Sequence, residues 1–186
     1  MLRGLPYLAT DPSLSQERLR CKEVCARFNS LPPAQTEERR ALLRSLLGHT
    51  GRDFWIEPDF WCDYGSQISL GEGFYANHGL IVLDCAPVTF GDDCLIGPQC
   101  GIYTAAHPLL PEQRKTGLEY ARPVTLGHGV WLGGHVTVLG GVSIGDNSVI
   151  GAGSVVTRSI PSGVVAAGVP CRVLREITEA DRLALP

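Results

Sequence analysis

The chain has 186 residues, 44% hydrophobic and only 19% charged, with a formal net charge of −3. That is ample apolar material for one core and too little positive charge for a nucleic-acid or acidic-membrane partner. No apolar run reaches the roughly 18 residues of a membrane span. The first residues, Met1 to Tyr7, include Arg3 and Pro6 and lack the apolar stretch of a signal peptide, so a cytoplasmic protein is expected. Seven cysteines, an odd number at scattered positions, suit a reducing compartment in which they serve as small buried thiols.

Residues 11–48 read as helical. Asp11 can cap a first helix with Pro12 at its first position, and Cys21, Cys25 and Phe28 fall on one face at i, i+4 and i+7. The turn Asn29–Pro33 ends it. Thr36 opens a second helix with an apolar stripe of Leu42, Leu43, Leu46 and Leu47, closed by Gly48. This pair, within a cap of residues 1–55, is expected to cover one end of a repeat array, since a terminal coil needs protection.

A repeat domain is expected over residues 56–175. The rhythm begins near Tyr64-Gly65 and Leu70-Gly71, passes Ala76 and Val82, and slips phase before Phe90-Gly91 and Ile96-Gly97. From Leu126 it is strict: Leu126, Leu132, Val138, Ile144, Ile150 and Val156 recur every sixth residue. Val130, Val136, Val142, Ser148 and Ser154 follow four places behind. A period of six fits neither an α-helix nor an open half-buried sheet; it marks a hexapeptide-repeat parallel β-helix, an all-β solenoid. The aliphatics point to the axis, and the glycines after them are read as corner residues. Cys94 and Cys100, six apart, read as core filler. Residues 104–122 break the rhythm with Pro108, Pro111, Gln113, Arg114 and Lys115, an excursion of a length that usually carries function. After Val156 come short strands to Gly168, then Pro170. A polar tail from Arg172 that could be helical closes the chain, with residues 176–186 outside the repeat.

Within the excursion stands His107, in Tyr-Thr-Ala-Ala-His-Pro. Histidine changes charge closest to neutrality, so this imidazole can accept a proton, unless it is merely a surface residue. The stretch Tyr103–Pro108, with Pro123–Gly127, Val130–Gly133 and the run from Ile144 to Arg175, resembles the sugar O-acetyltransferases. These are the galactoside and maltose enzymes, with the nodulation-factor acetyltransferase as a relative. The resemblance covers nearly the whole chain, including Tyr7 and the helix at Glu17–Arg20. It implies a left-handed parallel β-helix, although general crossover rules favour the right hand. It also implies a homotrimer and acetyl transfer from acetyl-CoA to a sugar hydroxyl in a ternary complex, with no metal required.

Carried over by that resemblance, His107 is the general base. Asp11, Asp63, Tyr75, Asn77 and Asp84 line the acceptor pocket. Trp131, Gly134, Ala152, Thr157, Arg158, Arg172 and Arg175 form the cofactor side, the arginines suiting the phosphates of coenzyme A. Galactoside enzymes have a serine where Gly134 stands, which leaves only backbone N–H as an oxyanion donor there. They also have a second aspartate where this sequence has Cys85, which tilts the reading toward the maltose/glucose type. Within the same chemistry the acceptor could instead be a hydroxyl of an antibiotic or amino acid. From another class, the repeat could be a non-catalytic scaffold. Zinc hydratases of the gamma carbonic anhydrase type share the repeat, but His128 and His135 fall at different phases of the hexad and need not face one site.

Overall fold

In a computed structural model, which describes Met1 and residues 4–184, the chain forms a left-handed parallel β-helix of triangular section. Leu2, Arg3, Leu185 and Pro186, and so the outermost parts of the expected cap and tail, lie outside the described residues. The first wall stacks Ile68–Leu70, Val88–Phe90, Val124–Leu126 and Ser143–Ile144. The second stacks Phe54–Ile56, Phe74–Ala76, Leu95–Ile96, Trp131–Leu132, Val149–Ile150 and Val164–Ala167. The third stacks Phe60–Cys62, Leu80–Leu83, Gly101–Tyr103, Thr137–Leu139 and Val155–Val156.

Parallel register aligns like with like along the axis. Leu70, Phe90, Leu126 and Ile144 form one buried column, Ile56, Ala76, Ile96, Leu132 and Ile150 a second, and Cys62, Val82, Ile102, Val138 and Val156 a third. Each large aliphatic removed from water in this way contributes about 1.5–3 kcal/mol. The companions four residues behind, Val130, Val136, Val142, Ser148 and Ser154, are buried beside them as the period predicts.

The glycine after each axial aliphatic has a different cause from the one expected. Positive φ occurs later in the turns, at Gly129 (φ 62°) and Asn147 (φ 57°) for instance. At Gly91 and Gly97 an added Cβ would lie 2.6 Å from the carbonyl carbons of Gly127 and Gly133 on the next coil. Close stacking of coils, not a left-handed corner, excludes a side chain there.

Helices α1 (Pro12–Ser30) and α2 (Thr36–Leu46) close the N-terminal end. Phe28 meets Phe60 edge to face at 6.4 Å, and the Asn29 amide both donates to the Phe60 carbonyl and accepts from its N–H. Arg44 and Arg40 lie over the rings of Phe54 and Trp55. The solenoid is joined before the Tyr64 register: His49 bridges parallel to Ser69, and Phe54–Ile56 is the first full strand, its aromatic residues hiding the rhythm. Among the described residues no helix is long and apolar enough to cross a membrane.

Residues 104–122 are an ordered arm: strand Ala105–Ala106, helix α3 (Pro111–Arg114) and strand Leu118–Ala121. The last strand pairs antiparallel with Ala105–Ala106 on one side and with the N-terminal strand Tyr7–Leu8 on the other. The tail also differs from the helical expectation. Arg172–Glu176 runs antiparallel to Val164–Ala167, where the final coil offers unpaired backbone groups to an added strand.

Candidate active site

Departures from the hexad in the first three coils fall at one corner, between the third and first walls. The axial residue after Cys62 is Leu70 and that after Val82 is Phe90, each two positions late; after Ile102 it is Leu126. Three insertions are thus stacked: Asp63–Gln67, Asp84–Pro87 and the arm. Asp84 is fully buried in this stack. Its carboxylate accepts from the backbone N–H groups of Asp63 at 3.0 Å, Tyr64 at 2.8 Å and Gln67 at 3.3 Å. Burial pushes its carboxyl above the ordinary range, against the pull of these donors. Asp84 therefore shapes the corner from beneath instead of lining an open pocket, a role its position in Val-Leu-Asp does not reveal.

Asp63 is half-buried on the same corner, with Oδ2 3.5 Å from the Cys85 sulfur. Burial raises its carboxyl above the usual range, while Arg18 opposes the shift and Glu119 adds to it. Burial also pushes the Cys85 thiol up to about 12, so it stays protonated. Arg18 donates to the Tyr64 hydroxyl at 2.7 Å and to the Ala9 carbonyl. Asp11 sits at the edge as the cap of α1. Its carboxylate accepts from Ser13 Oγ at 2.6 Å and Ser13 N at 2.9 Å, contacts that lower its pKa.

His107 emerges from the arm with its side chain 56% exposed, Nε2 lying 3.8 Å from Glu119 Oε1. Glu119 Oε2 accepts from the Tyr7 hydroxyl at 2.8 Å. Glu119 escaped the sequence reading. Its neighbours along the chain are unremarkable, and its alignment with Tyr7 comes from antiparallel pairing across 112 positions.

A second group lies on the second wall. Register places Tyr75, Leu95, Trp131 and Val149 in one outward column. Tyr75, Asn77, Leu95, Pro98, Trp131 and Gly134 line an open cleft of about 420 Å³. Acceptor-side Tyr75 and Asn77 thus join cofactor-side Trp131 and Gly134, and Ala152 adjoins them, since a Cβ on Gly133 would come within 2.6 Å of its nitrogen. Thr157 and Arg158, both exposed, follow the last strand of the third wall. Arg172 is exposed and donates to the Cys171 carbonyl, whereas Arg175 is held by Asp181 through two bonds of 2.7 and 2.8 Å. That guanidinium draws the Asp181 carboxyl down to about 2.

One chain does not bring the two groups together. The arm leaves the corner between the third and first walls, and in a triangular section the second wall is the side opposite that corner. His128 and His135 also stand apart, in turns at opposite ends of the second-wall strand Trp131–Leu132. His128 contacts Asp92, with Nδ1 3.2 Å from Oδ2, and His135 holds a turn with φ 57°.

Residues 1–51 match the maltose acetyltransferase hexapeptide capping motif, and residues 123–158 match the bacterial transferase hexapeptide model of six repeats. With the solenoid, its helical cap and the histidine-bearing arm, these matches define a hexapeptide-repeat transferase. The chain is 47% identical to the galactoside O-acetyltransferase of Escherichia coli, over 91% of this chain and 83% of the relative. It superposes with a TM-score of 0.94 on a maltose O-acetyltransferase from Clostridium difficile 630, at 44% identity over 96% of this chain and 95% of the other. A galactoside acetyltransferase solved in complex with coenzyme A gives the same TM-score at 45% identity, over 96% and 90%. The chain belongs to the maltose and galactoside O-acetyltransferase family.

Proposed function

We propose that the protein transfers acetyl from acetyl-CoA to a hydroxyl of a sugar by direct attack in a ternary complex, with His107 as general base. The observation that carries this reading is the imidazole on the arm, facing a Tyr7-anchored carboxylate beside a corner bearing Asp63 and Asp11. His107 takes the hydroxyl proton as the sugar oxygen forms its bond to the thioester carbonyl carbon. Glu119 steadies the resulting imidazolium. The tetrahedral oxyanion needs a donor near 3 Å, and on this chain Gly134 could offer only its backbone N–H. Collapse breaks the carbon–sulfur bond, and the imidazolium returns the proton to the coenzyme A thiolate. Positioning both substrates supplies much of the rate.

Coenzyme A takes the second wall in this reading. Its pantetheine arm passes Trp131, Gly134 and Ala152, and its phosphates reach toward Thr157, Arg158, Arg172 and Arg175, with Arg175 exchanging Asp181 for phosphate. The relative solved with coenzyme A supports the coenzyme as donor. Asp63, Tyr75, Asn77 and Asp11 contact the acceptor, and Cys85 in place of a second aspartate favours maltose or glucose over galactosides. Because arm and wall lie on opposite parts of one chain, we assign the site to a homotrimer in which the arm of one subunit reaches the second wall of its neighbour. Leu95 and Trp131, each about half exposed on that wall, are the surface it would cover. A cytoplasmic location belongs to the same proposal, given its free thiols and need for acetyl-CoA.

Release of free coenzyme A thiol with maltose, glucose or a galactoside as acceptor tests the activity. His107→Ala is expected to lower turnover by roughly two orders of magnitude or more. A full rate from that variant would remove the assigned base, and no acceptor-dependent release from the wild type would leave the scaffold reading.

A further inference from the structure

Three of the seven cysteines converge beneath the helical cap. Cys21 and Cys25, one turn apart on the inner face of α1, meet Cys62 at the end of the first third-wall strand. The Cys62 sulfur lies 3.4 Å from that of Cys21 and 3.9 Å from that of Cys25, and all three sulfurs lie within 4.8 Å of one another. Their residues are 2%, 0% and 5% exposed, within the core that holds Phe28 and Phe60. Among the described residues this is the one trio of possible metal-ligating side chains so closely grouped.

Packing alone gives a different arrangement of thiols in this same chain. Cys94 and Cys100 fill repeat positions, and each sulfur donates to a single carbonyl, of Gly127 and Gly133 respectively. The trio instead draws two sulfurs from the cap and one from the coil into mutual contact.

We propose that Cys21, Cys25 and Cys62 form a three-thiolate site for a soft monovalent cation, Cu(I), which pins the helical cap to the first coil. Metal–sulfur bonds of about 2.3 Å arranged in a plane put the sulfurs about 4 Å apart, so the trio is nearly set to receive an ion at its centre. Thiolates select soft ions such as Cu(I) and zinc. Structural zinc takes four ligands, and among the described residues no fourth histidine, cysteine or carboxylate joins the three. Three sulfurs satisfy Cu(I). Binding exchanges thiol protons for the cation with no electron transferred. The Cys21 thiol, which donates to the Cys62 carbonyl at 3.2 Å, gives up that bond for the ion. An ion that binds only when cap and coil are docked stabilises the docked state by mass action.

The test uses the full chain, anaerobic and reduced by a phosphine, titrated with Cu(I) against a chromogenic chelator. Expected are one ion per chain, a thiolate-to-copper absorption in the near ultraviolet, and a rise in Tm. Because all seven thiols are buried in the folded chain, alkylation is run in mild denaturant with and without Cu(I), and mass mapping should find Cys21, Cys25 and Cys62 protected only when the ion is present. Cys25→Ala and Cys62→Ala should each weaken binding by roughly 100-fold or more, whereas Cys94→Ala should bind as the wild type does. The site is refuted if the reduced wild type takes up no stoichiometric Cu(I), or if protection maps to Cys85 or Cys171. It is equally refuted if folded trio variants bind undiminished, or if the trio only forms a Cys21–Cys62 disulfide and takes no ion when reduced. The mapping on unsubstituted protein decides the matter even where a variant fails to fold.

Discussion

His107 Nε2 stands 3.8 Å from Glu119 Oε1, and the far oxygen of the same carboxylate takes a 2.8 Å hydrogen bond from the Tyr7 hydroxyl. Burial pushes the Tyr7 phenol far above its ordinary range, so it remains a donor throughout the working pH range. The N-terminal strand thereby aims a negative charge at the imidazole. In the proposed reaction Glu119 acts through His107, as a positioning residue. Glu119→Gln keeps the shape and removes the charge. It should lower kcat roughly 10–100-fold while leaving KM for acetyl-CoA nearly unchanged. A purely structural role would instead show as a lower Tm with a raised KM for both substrates.

Asp84 should separate stability from recognition. Replacement by alanine strands three backbone N–H groups of the preceding corner in a buried setting, at a cost of about 3 kcal/mol or more. For a chain of this size that corresponds to a fall in Tm of about 6–12 °C, readable by calorimetry or circular dichroism. The protein that stays folded should keep a near-normal KM for the sugar. A large rise in KM without loss of stability would instead mark Asp84 as a direct ligand of the acceptor.

Asp63 should show the opposite balance. Burial holds its carboxyl above the ordinary range, so the folded state binds that proton more tightly than the unfolded chain does. The ionised group therefore costs stability above its folded pKa, and the cost fades as pH falls toward the ordinary carboxylate range near 4. Asp63→Asn should melt a few degrees higher than the wild type at about pH 7, with the gap closing on acidification. If the carboxylate binds a sugar hydroxyl, KM for the acceptor should rise roughly tenfold in the same variant. A variant less stable at neutral pH would contradict the burial argument.

The axis was legible because a period of six leaves one choice of inward residue, and every member from Leu126 to Val156 is buried. The arm was legible as an absence of that rhythm. What escaped depends on contacts distant in sequence. Phe54, Trp55 and Phe60 build early strands without the aliphatic-glycine signature, because the cap's arginines and Phe28 pack on their rings. Glu119 gains significance only through a strand paired to Tyr7, and Asp84 only through the backbone of the coil before it. The division of the expected cleft between two parts of the chain was likewise invisible, since a residue list carries no information about which wall faces which.

That division gives the sharpest test of the shared site. Take one variant with a dead arm, His107→Ala, and another with a dead wall, Tyr75→Ala with Trp131→Ala, each almost inactive alone. If every site joins the arm of one subunit to the wall of the next, mixed trimers contain sites built from one intact arm and one intact wall. In any trimer that holds both variants one of the three sites is then intact, so mixed trimers should show about a third of the wild-type rate. If arm and wall of one chain served the same site, every subunit would carry one lesion, and mixing would restore nothing. Co-expression with two affinity tags, followed by the thiol-release assay on doubly purified trimers, reads the difference. Activity confined to a monomeric fraction would also rule out the assignment, since the arm would then have no neighbouring wall to reach.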